Sequence, residues 1–229
     1  MIGTLVNAAA VLLGGGLGLL FKGRIPEKIS QNTIRAIGLC VCIIGISGAI
    51  KGNLMLVVGS LALGAFSGEL LNIEGGLDKL GSWLQKKMSR GNSDAPFAEG
   101  FTTATLLFCV GTMSIIGSIN GGLKHEYSII FTKSILDGIS AMVLASTFGF
   151  GVLFSIVVII AYQGSIELFA GYLQNVFTDG LVTQITAVGS VMILGLGLNM
   201  ALNAKFKAAN LLPGLIFAAG FYYLFMSQR

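Results

Sequence analysis

The chain has 229 residues, of which 54% are hydrophobic and only 10% are charged. An ordinary soluble domain carries roughly 25% charged residues, so this composition excludes a soluble globular protein, because much of the surface must face something other than water. The few charges are clustered, and the uncharged intervals reach the roughly 20 apolar residues that a helix needs to span a bilayer core. Long apolar stretches such as residues 153–161, in which Ser155 is the one polar residue, favour helices over the alternating pattern of a β-barrel.

Eight apolar segments follow one another along the chain. We predict an all-α fold, a polytopic transmembrane helical bundle of about eight spans, with residues 1–229 forming a single integral membrane domain. The first segment lacks the basic start of a signal peptide, so we take it as a spanning helix. The segments are 1–21, 33–50, 54–71, 100–119, 128–146, 149–168, 181–203 and 208–226.

Lysine and arginine are concentrated in three connecting loops, at residues 22–35, 72–99 and 205–207. The positive-inside rule places these loops in the cytoplasm, and with eight spans both termini then lie outside it. This topology explains the net charge of +4 without nucleic acid, which we exclude as a partner. We predict the lipid bilayer as the partner instead.

The longest polar stretch, residues 72–98, is predicted to be a cytoplasmic amphipathic helix followed by a linker. Ile73, Leu77 and Leu84 recur at helical spacing, while charged residues fall elsewhere around the helix. A helix with such a face lies in the plane of the membrane interface.

Small residues recur every four positions in the first segment, at Gly14 and Gly18, and in the third, at Ser60, Gly64 and Gly68. This spacing lets helix backbones approach closely in lipid. It predicts tight helix packing, and the same glycine-rich faces could join copies of the chain in a homo-oligomer. The alternative for the glycine run that begins at Gly14 is a broken helix lining a transport site.

Two stretches of the sequence are faintly similar to each other. Arg35-Ala36-Ile37-Gly38 begins one, and Thr186-Ala187-Val188-Gly189 begins the other. In the predicted topology the two helices run in opposite directions. This similarity raises the hypothesis that spans one to three recur, inverted, as spans six to eight.

Ionisable residues inside a membrane are expensive and mark functional sites. Asp137 lies near the middle of the fifth segment, and Lys133 is four residues earlier on the same helix face, where the two can pair. Ser134 is adjacent to the lysine. The pair is either structural or a cation or proton site in which the ligand competes with the lysine.

Other polar residues lie in or beside apolar segments, and amides there either join helices or coordinate a substrate. Glu69 lies near the cytoplasmic end of the third segment, where it reaches the interface or contributes to a site. The candidate substrate- or ion-binding residues are Asp137, Lys133, Ser134, Glu69, Asn7, Gln163 and Asn199.

No catalytic or cofactor motif is present in the sequence. There is no nucleophile elbow, phosphate loop, zincin helix or dinucleotide fingerprint. The three cysteines form no Cys-x-x-Cys pair, and His125 is the single histidine, so we predict neither a metal site nor a cofactor. We therefore expect that the protein is not an enzyme.

Several short stretches form a specific combination: Ala104 to Gly111, Gly117 to Ile119, Lys133 to Gly138, Tyr162 to Gly164 and Asn210 to Pro213. Together they resemble the YdfK/YqgA family of bacterial membrane proteins over nearly the whole chain. The resemblance implies a multi-span protein of the bacterial inner membrane. The family is known as a domain of unknown function, so the resemblance supplies no substrate.

We predict a small secondary transporter of an unknown solute or ion, with Asp137 and Lys133 near the site. Because no nucleotide-binding motif is present, coupling would be to an ion gradient. The alternatives are a non-transporting membrane scaffold or subunit, and an ion channel.

Overall fold

In a computed structural model, every regular element among the described residues is helical, which confirms the all-α prediction. The described residues are 1–21, 27–76, 79, 97–109, 111–173 and 175–225. The helices are α1 (Ile2–Phe21), α2 (Glu27–Ala49), α3 (Leu54–Leu71), α4 (Phe97–Cys109), α5 (Thr112–Lys124), α6 (Ser128–Phe148), α7 (Gly151–Leu168), the single turn α8 (Ala170–Leu173), α9 (Asp179–Leu202), a 3-10 helix (Ala208–Leu211) and α10 (Pro213–Phe225).

Six elements in the described part of the chain are long and apolar enough to cross a membrane. They are α1, α3, α6, α7, α9 and the continuous stretch Ala208–Phe225, in which Pro213 is the first residue of α10. The pair α4 and α5 would make a seventh, and α2 contains a shorter apolar helix, Ile34–Ala49. All eight predicted segments are therefore helical, although the apolar part of the second is too short to count among the six and the fourth is broken.

The break in the fourth segment was not predicted from the sequence. Residues 100–119 were expected to form one helix, whereas α4 and α5 are bent by 56° relative to each other. The Ser114 hydroxyl donates a hydrogen bond to the Phe108 carbonyl at 2.9 Å. A side chain thus satisfies one of the carbonyls that the end of α4 leaves without a helical partner.

The fifth and sixth segments are separate helices joined by a very short turn. α6 ends at Phe148 and α7 begins at Gly151. Gly149 has φ 77°, and its N–H donates to the Ala145 carbonyl at 2.9 Å. Glycine suits this left-handed position because it has no Cβ, so the sequence permits the chain to reverse within two residues.

Contacts divide the chain into two compact units, Met1–Ser30 with Leu77–Val176, and Gln31–Gly76 with Phe177–Arg229. In the first unit α1 packs along α6 and α7, and α4 and α5 pack against α7. In the second unit α3 packs against α10 and the 3-10 helix. The predicted amphipathic helix lies largely outside the described residues, although residues 73–76 are helical.

Glycine brings the backbones of α1 and α6 into direct contact. A Cβ at Gly14 would lie 2.0 Å from the carbonyl oxygen of Gly138, and a Cβ at Gly18 would lie 2.1 Å from that of Met142. α1 continues as a helix through its three consecutive glycines. This confirms the packing interpretation of the glycine spacing.

The glycine spacing of α3 has the same effect in the second unit. A Cβ at Gly68 would lie 1.8 Å from the carbonyl oxygen of Asn210, and one at Gly64 would lie 2.6 Å from the backbone of Gly214. Both glycine faces are thus occupied within the chain. A homo-oligomer, which remains a prediction, would need a different surface.

Candidate functional site

The first unit buries a group of polar side chains where α1, α6 and α7 meet. Asn7 and Gln163 are completely buried, and Lys133 and Asp137 are 6% and 7% exposed. We call these four residues the polar cluster. Burial of so many hydrogen-bonding groups at one place is expensive unless they bind each other or a ligand.

Lys133 and Asp137 form an ion pair between Nζ and Oδ2, as their spacing on α6 predicts. Placing both partners on one helix fixes the pair locally. Such a pair is weak evidence for stability, since apolar residues of similar volume often replace a buried ion pair without loss. Stability alone therefore does not explain why this ion pair is buried here, and a functional role is one alternative.

Asn7 connects the ion pair to α7. Its Nδ2 group donates to Asp137 Oδ2 at 3.0 Å and to Gln163 Oε1 at 3.1 Å. The close contact of α1 with α6 at Gly14 makes this bridge possible, because it lets a short asparagine side chain reach across. The Asn7 amide therefore joins three predicted site residues, each of which lies on a different helix.

Two polar atoms of the cluster lack a hydrogen-bond partner among the described residues, Asn7 Oδ1 and Gln163 Nε2. One is an acceptor and the other is a donor. An unsatisfied buried group costs about 1–3 kcal/mol, so each such atom calls for an explanation. Together they offer positions for a small hydrated or polar guest beside Asp137.

Ser134 also lies on α6 and is buried, but its hydroxyl donates to the Ile130 carbonyl of its own helix at 2.7 Å. The structure thus places Ser134 beside the polar cluster but outside the hydrogen bonds that join Asn7, Asp137 and Gln163.

Glu69 and Asn199 belong to the second unit, and their polar contacts lie within it. Glu69 pairs with Lys207 at 2.5 Å and accepts a hydrogen bond from Asn210 at 2.5 Å. Its carboxylate raises the pKa of Lys207. These contacts hold the chain before α10 against the end of α3.

Asn199 serves as a clamp for the loop after α9. Its Nδ2 donates to the Phe206 carbonyl at 2.7 Å, and its Oδ1 accepts from the Phe206 N–H at 2.5 Å. Within this loop Asn203 and Lys205 adopt left-handed backbone conformations, with φ 55° and 57°. The structure thus gives this amide a loop-stabilising contact.

Sequence reasoning missed one buried carboxylate, Glu167 on α7, which is 4% exposed. Its Oε2 accepts hydrogen bonds from the Thr4 hydroxyl at 2.6 Å and the Thr4 N–H at 3.2 Å. Its Oε1 lies 2.7 Å from the nitrogen of Met1. A charge at the end of an apolar segment is readily taken as interfacial, but its spacing of four residues from Gln163 was an available signal.

The broken segment packs against α6, the helix that carries the ion pair. Both α4 and α5 contact α6, and Cys109, the last residue of α4, is buried. The two halves of the broken segment therefore contact the helix of Lys133 and Asp137.

The run of apolar helices defines this chain as a polytopic membrane protein. The family described as "Protein of unknown function (DUF554)" matches residues 2–223, and the chain belongs to that family.

Two relatives extend the comparison. The chain is 37% identical over 222 residues to the uncharacterized membrane protein YdfK of Bacillus subtilis strain 168, covering 94% of this chain and 93% of YdfK. It is 31% identical over 223 residues to the uncharacterized protein YqgA of Escherichia coli K12, covering 95% and 94%. No solved structure matches the chain. These matches confirm the resemblance drawn from the sequence.

Proposed function

We propose that the protein is a small secondary transporter of the bacterial inner membrane, and not an enzyme, with a proton or small cation binding at Asp137. The observation that carries this proposal is the buried Asp137 carboxylate. Its Oδ2 atom pairs with Lys133 and accepts a hydrogen bond from Asn7. The unpartnered Asn7 Oδ1 and Gln163 Nε2 lie on side chains of the same cluster.

The ion pair allows the Asp137 carboxylate to alternate between two neutralised states. Asp137 is neutralised either by Lys133 or by a bound proton or cation. Both at once would leave an uncompensated positive charge in a poorly solvated site, which is costly. Ligand binding must therefore displace or discharge Lys133, and such competition gives the ligand different affinities for two conformations, as coupled transport requires.

The broken fourth segment supports the same proposal. Secondary transporters commonly bind their ions where a membrane helix is interrupted. Here both halves of the interrupted segment, α4 and α5, pack against α6, the helix that carries Lys133 and Asp137.

The inverted-repeat hypothesis is a further part of the proposal. If spans one to three recur as spans six to eight, the related helices are α1 and α7, α2 and α9, and α3 and α10. The first and third pairs each lie within one compact unit, and α9 shares its unit with the part of α2 that begins at Gln31. In the second unit the α2–α9 contact is close, because a Cβ at Gly38 would lie 2.6 Å from the Ala201 nitrogen.

A ligand that binds the folded state raises its apparent stability, which gives a test without a known substrate. We expect the melting temperature of the purified parent protein to change with proton, sodium or organic-cation concentration. Asp137→Asn, which keeps the shape of the side chain, should abolish that response. Lys133→Ala should strengthen cation binding, because the competing charge is gone.

Asp179→Asn is the matched control, since it makes the same chemical change at an exposed residue. It should respond to each ion as the parent does. Identical responses in the parent and Asp137→Asn would return the pair to a structural role and favour the scaffold or subunit alternative. Ion currents through reconstituted protein at rates beyond those of a transport cycle would favour the channel.

A further inference from the structure

The buried polar residues of the first unit lie in successive layers. The layer nearest the start of α1 contains Thr4 and Glu167, which are 0% and 4% exposed. One helical turn further along α1 is the layer of the polar cluster, with Asn7, Gln163 and Asp137. A polar path therefore runs from the start of α1 to the ion pair.

The next layer is apolar and closed. One turn beyond Asn7, Asp137 and Gln163, the same three helices place Val11, Ala141 and Ile159, which are all completely buried. Further along, α1 and α6 make backbone contact at Gly14 and Gly18. Buried polar side chains thus lie on one side of Asp137, and buried apolar side chains lie on the other.

We propose that these layers form a one-sided access route for a proton or small cation, leading from the start of α1 past Glu167 to Asp137. The apolar layer of Val11, Ala141 and Ile159 is the barrier that closes the other side. This inference rests on the proposed function, and it adds a second carboxylate, a direction and a gate to it.

The chemistry of the route suits a cationic species. Carboxylates lie in both of its polar layers, and the unpartnered acceptor Asn7 Oδ1 lies in the layer of Asp137. The fixed positive side chain in contact with Asp137 is Lys133. A passing cation would replace it there, with the Asn7 amide oxygen supplying a polar contact.

Cysteine accessibility tests the direction and the barrier. In a background without native cysteines, single cysteines replace Thr4, Asn7, Val11 and Ala141, and the exposed Ile2 serves as the reference. A small cationic methanethiosulfonate reagent is added to one side of sealed vesicles. Thr4→Cys and Asn7→Cys should react from the side that labels Ile2→Cys, while Val11→Cys and Ala141→Cys should be unreactive from that side.

The route would be overturned by equal reactivity of the cysteines on both sides of the proposed barrier, or by no reaction at Thr4→Cys. Thr4→Cys is a nearly isosteric change, so it decides the result if Asn7→Cys does not fold. Reaction of either cysteine only from the side opposite to Ile2→Cys would reverse the direction and also reject the proposal.

Glu167→Gln tests the role of the outer carboxylate. Glutamine retains an oxygen that accepts from Thr4, so a merely structural contact survives. Along a cation route, labelling of Asn7→Cys by the cationic reagent should slow by about tenfold, the low end of electrostatic effects on encounter rates. Labelling by an anionic reagent of similar size should not slow.

Glu126→Gln, an exposed change in the same unit, should alter neither rate. Equal slowing of both reagents by Glu167→Gln would make Glu167 a structural residue and overturn its part in the route. These results are separable from the proposed function. Identical ion responses in the parent and Asp137→Asn would reject the proposed function without changing accessibility, whereas an ion response that depends on Asp137, together with an unreactive Thr4→Cys, would reject the route alone.

Discussion

Substitution of Gly14 by alanine should separate α1 from α6 and disturb the site two turns away. The added Cβ would lie 2.0 Å from the Gly138 carbonyl oxygen, whereas real Cβ contacts are essentially never shorter than 3.0 Å. The obstacle is backbone, which cannot rotate aside as a side chain can. The helices must therefore move apart by about 1 Å at this point, and cores resist such overpacking.

The size of the effect follows from two opposing contributions. Overpacking costs about 1–3 kcal/mol, while replacing glycine by alanine inside a helix gains up to about 1 kcal/mol. Separation of the helices also weakens the hydrogen bond from Asn7 to Asp137, and such bonds to charged groups contribute about 1.5–3 kcal/mol. We expect Gly14→Ala to lower the free energy of unfolding by about 2 kcal/mol after the propensity gain.

Gly16→Ala provides the matched control on the same helix, because a Cβ there meets no described atom within 4 Å. It should be neutral or stabilising. The two variants should differ by about 3 kcal/mol, which corresponds to about 6–12 °C in melting temperature for a chain of this size. Equal melting temperatures, or a Gly14→Ala variant with an unchanged ion response, would refute the reasoning about the α1–α6 contact.

Three further predictions follow from other parts of the molecule. Because Glu69 raises the pKa of Lys207, this pair stabilises the fold below the ordinary lysine pKa and loses that contribution as pH rises through the raised value. The stability difference between the parent and Lys207→Gln should therefore shrink as the pH rises above 10.5 and vanish once the pH exceeds the raised pKa of Lys207. Asn199→Ala should destabilise the protein by about 1–2 kcal/mol through loss of its loop hydrogen bonds, measured by denaturant titration. In the predicted topology, a cysteine at Lys86 should be labelled only from the cytoplasm and one at Lys51 only from outside, and labelling of position 86 in intact cells would contradict it.

Local spacing predicted the parts of the site that one helix determines. Lys133 and Asp137 pair because residues four apart share a helix face, and this was visible in the sequence. Asn7 and Gln163 were candidates individually, but their bond joins residues 156 positions apart. No local pattern specifies which helices meet, so the bridge became visible only in the structure.

The differences between sequence and structure have equally specific causes. The break between α4 and α5 was missed because average hydropathy does not register a change of helix direction. Glu69 and Asn199 were grouped with the site by residue type, whereas their bonds in the structure hold loops within the second unit. A polar residue near the end of an apolar segment can either contribute to a binding site or stabilise a loop. Only its hydrogen-bond partners in the structure distinguish the two roles.

The two-residue turn between α6 and α7 has a consequence for how the protein enters the membrane. So short a connection leaves no polar loop to be translocated separately, so α6 and α7 must insert together as a helical hairpin. Insertion of a lone charged residue at a helix centre costs about 2.5–3.5 kcal/mol, and α6 carries two of opposite sign. Because Lys133 and Asp137 lie on the same face of the same helix, they neutralise each other before any tertiary partner arrives. The pair thereby makes a carboxylate in the middle of an apolar helix compatible with biogenesis.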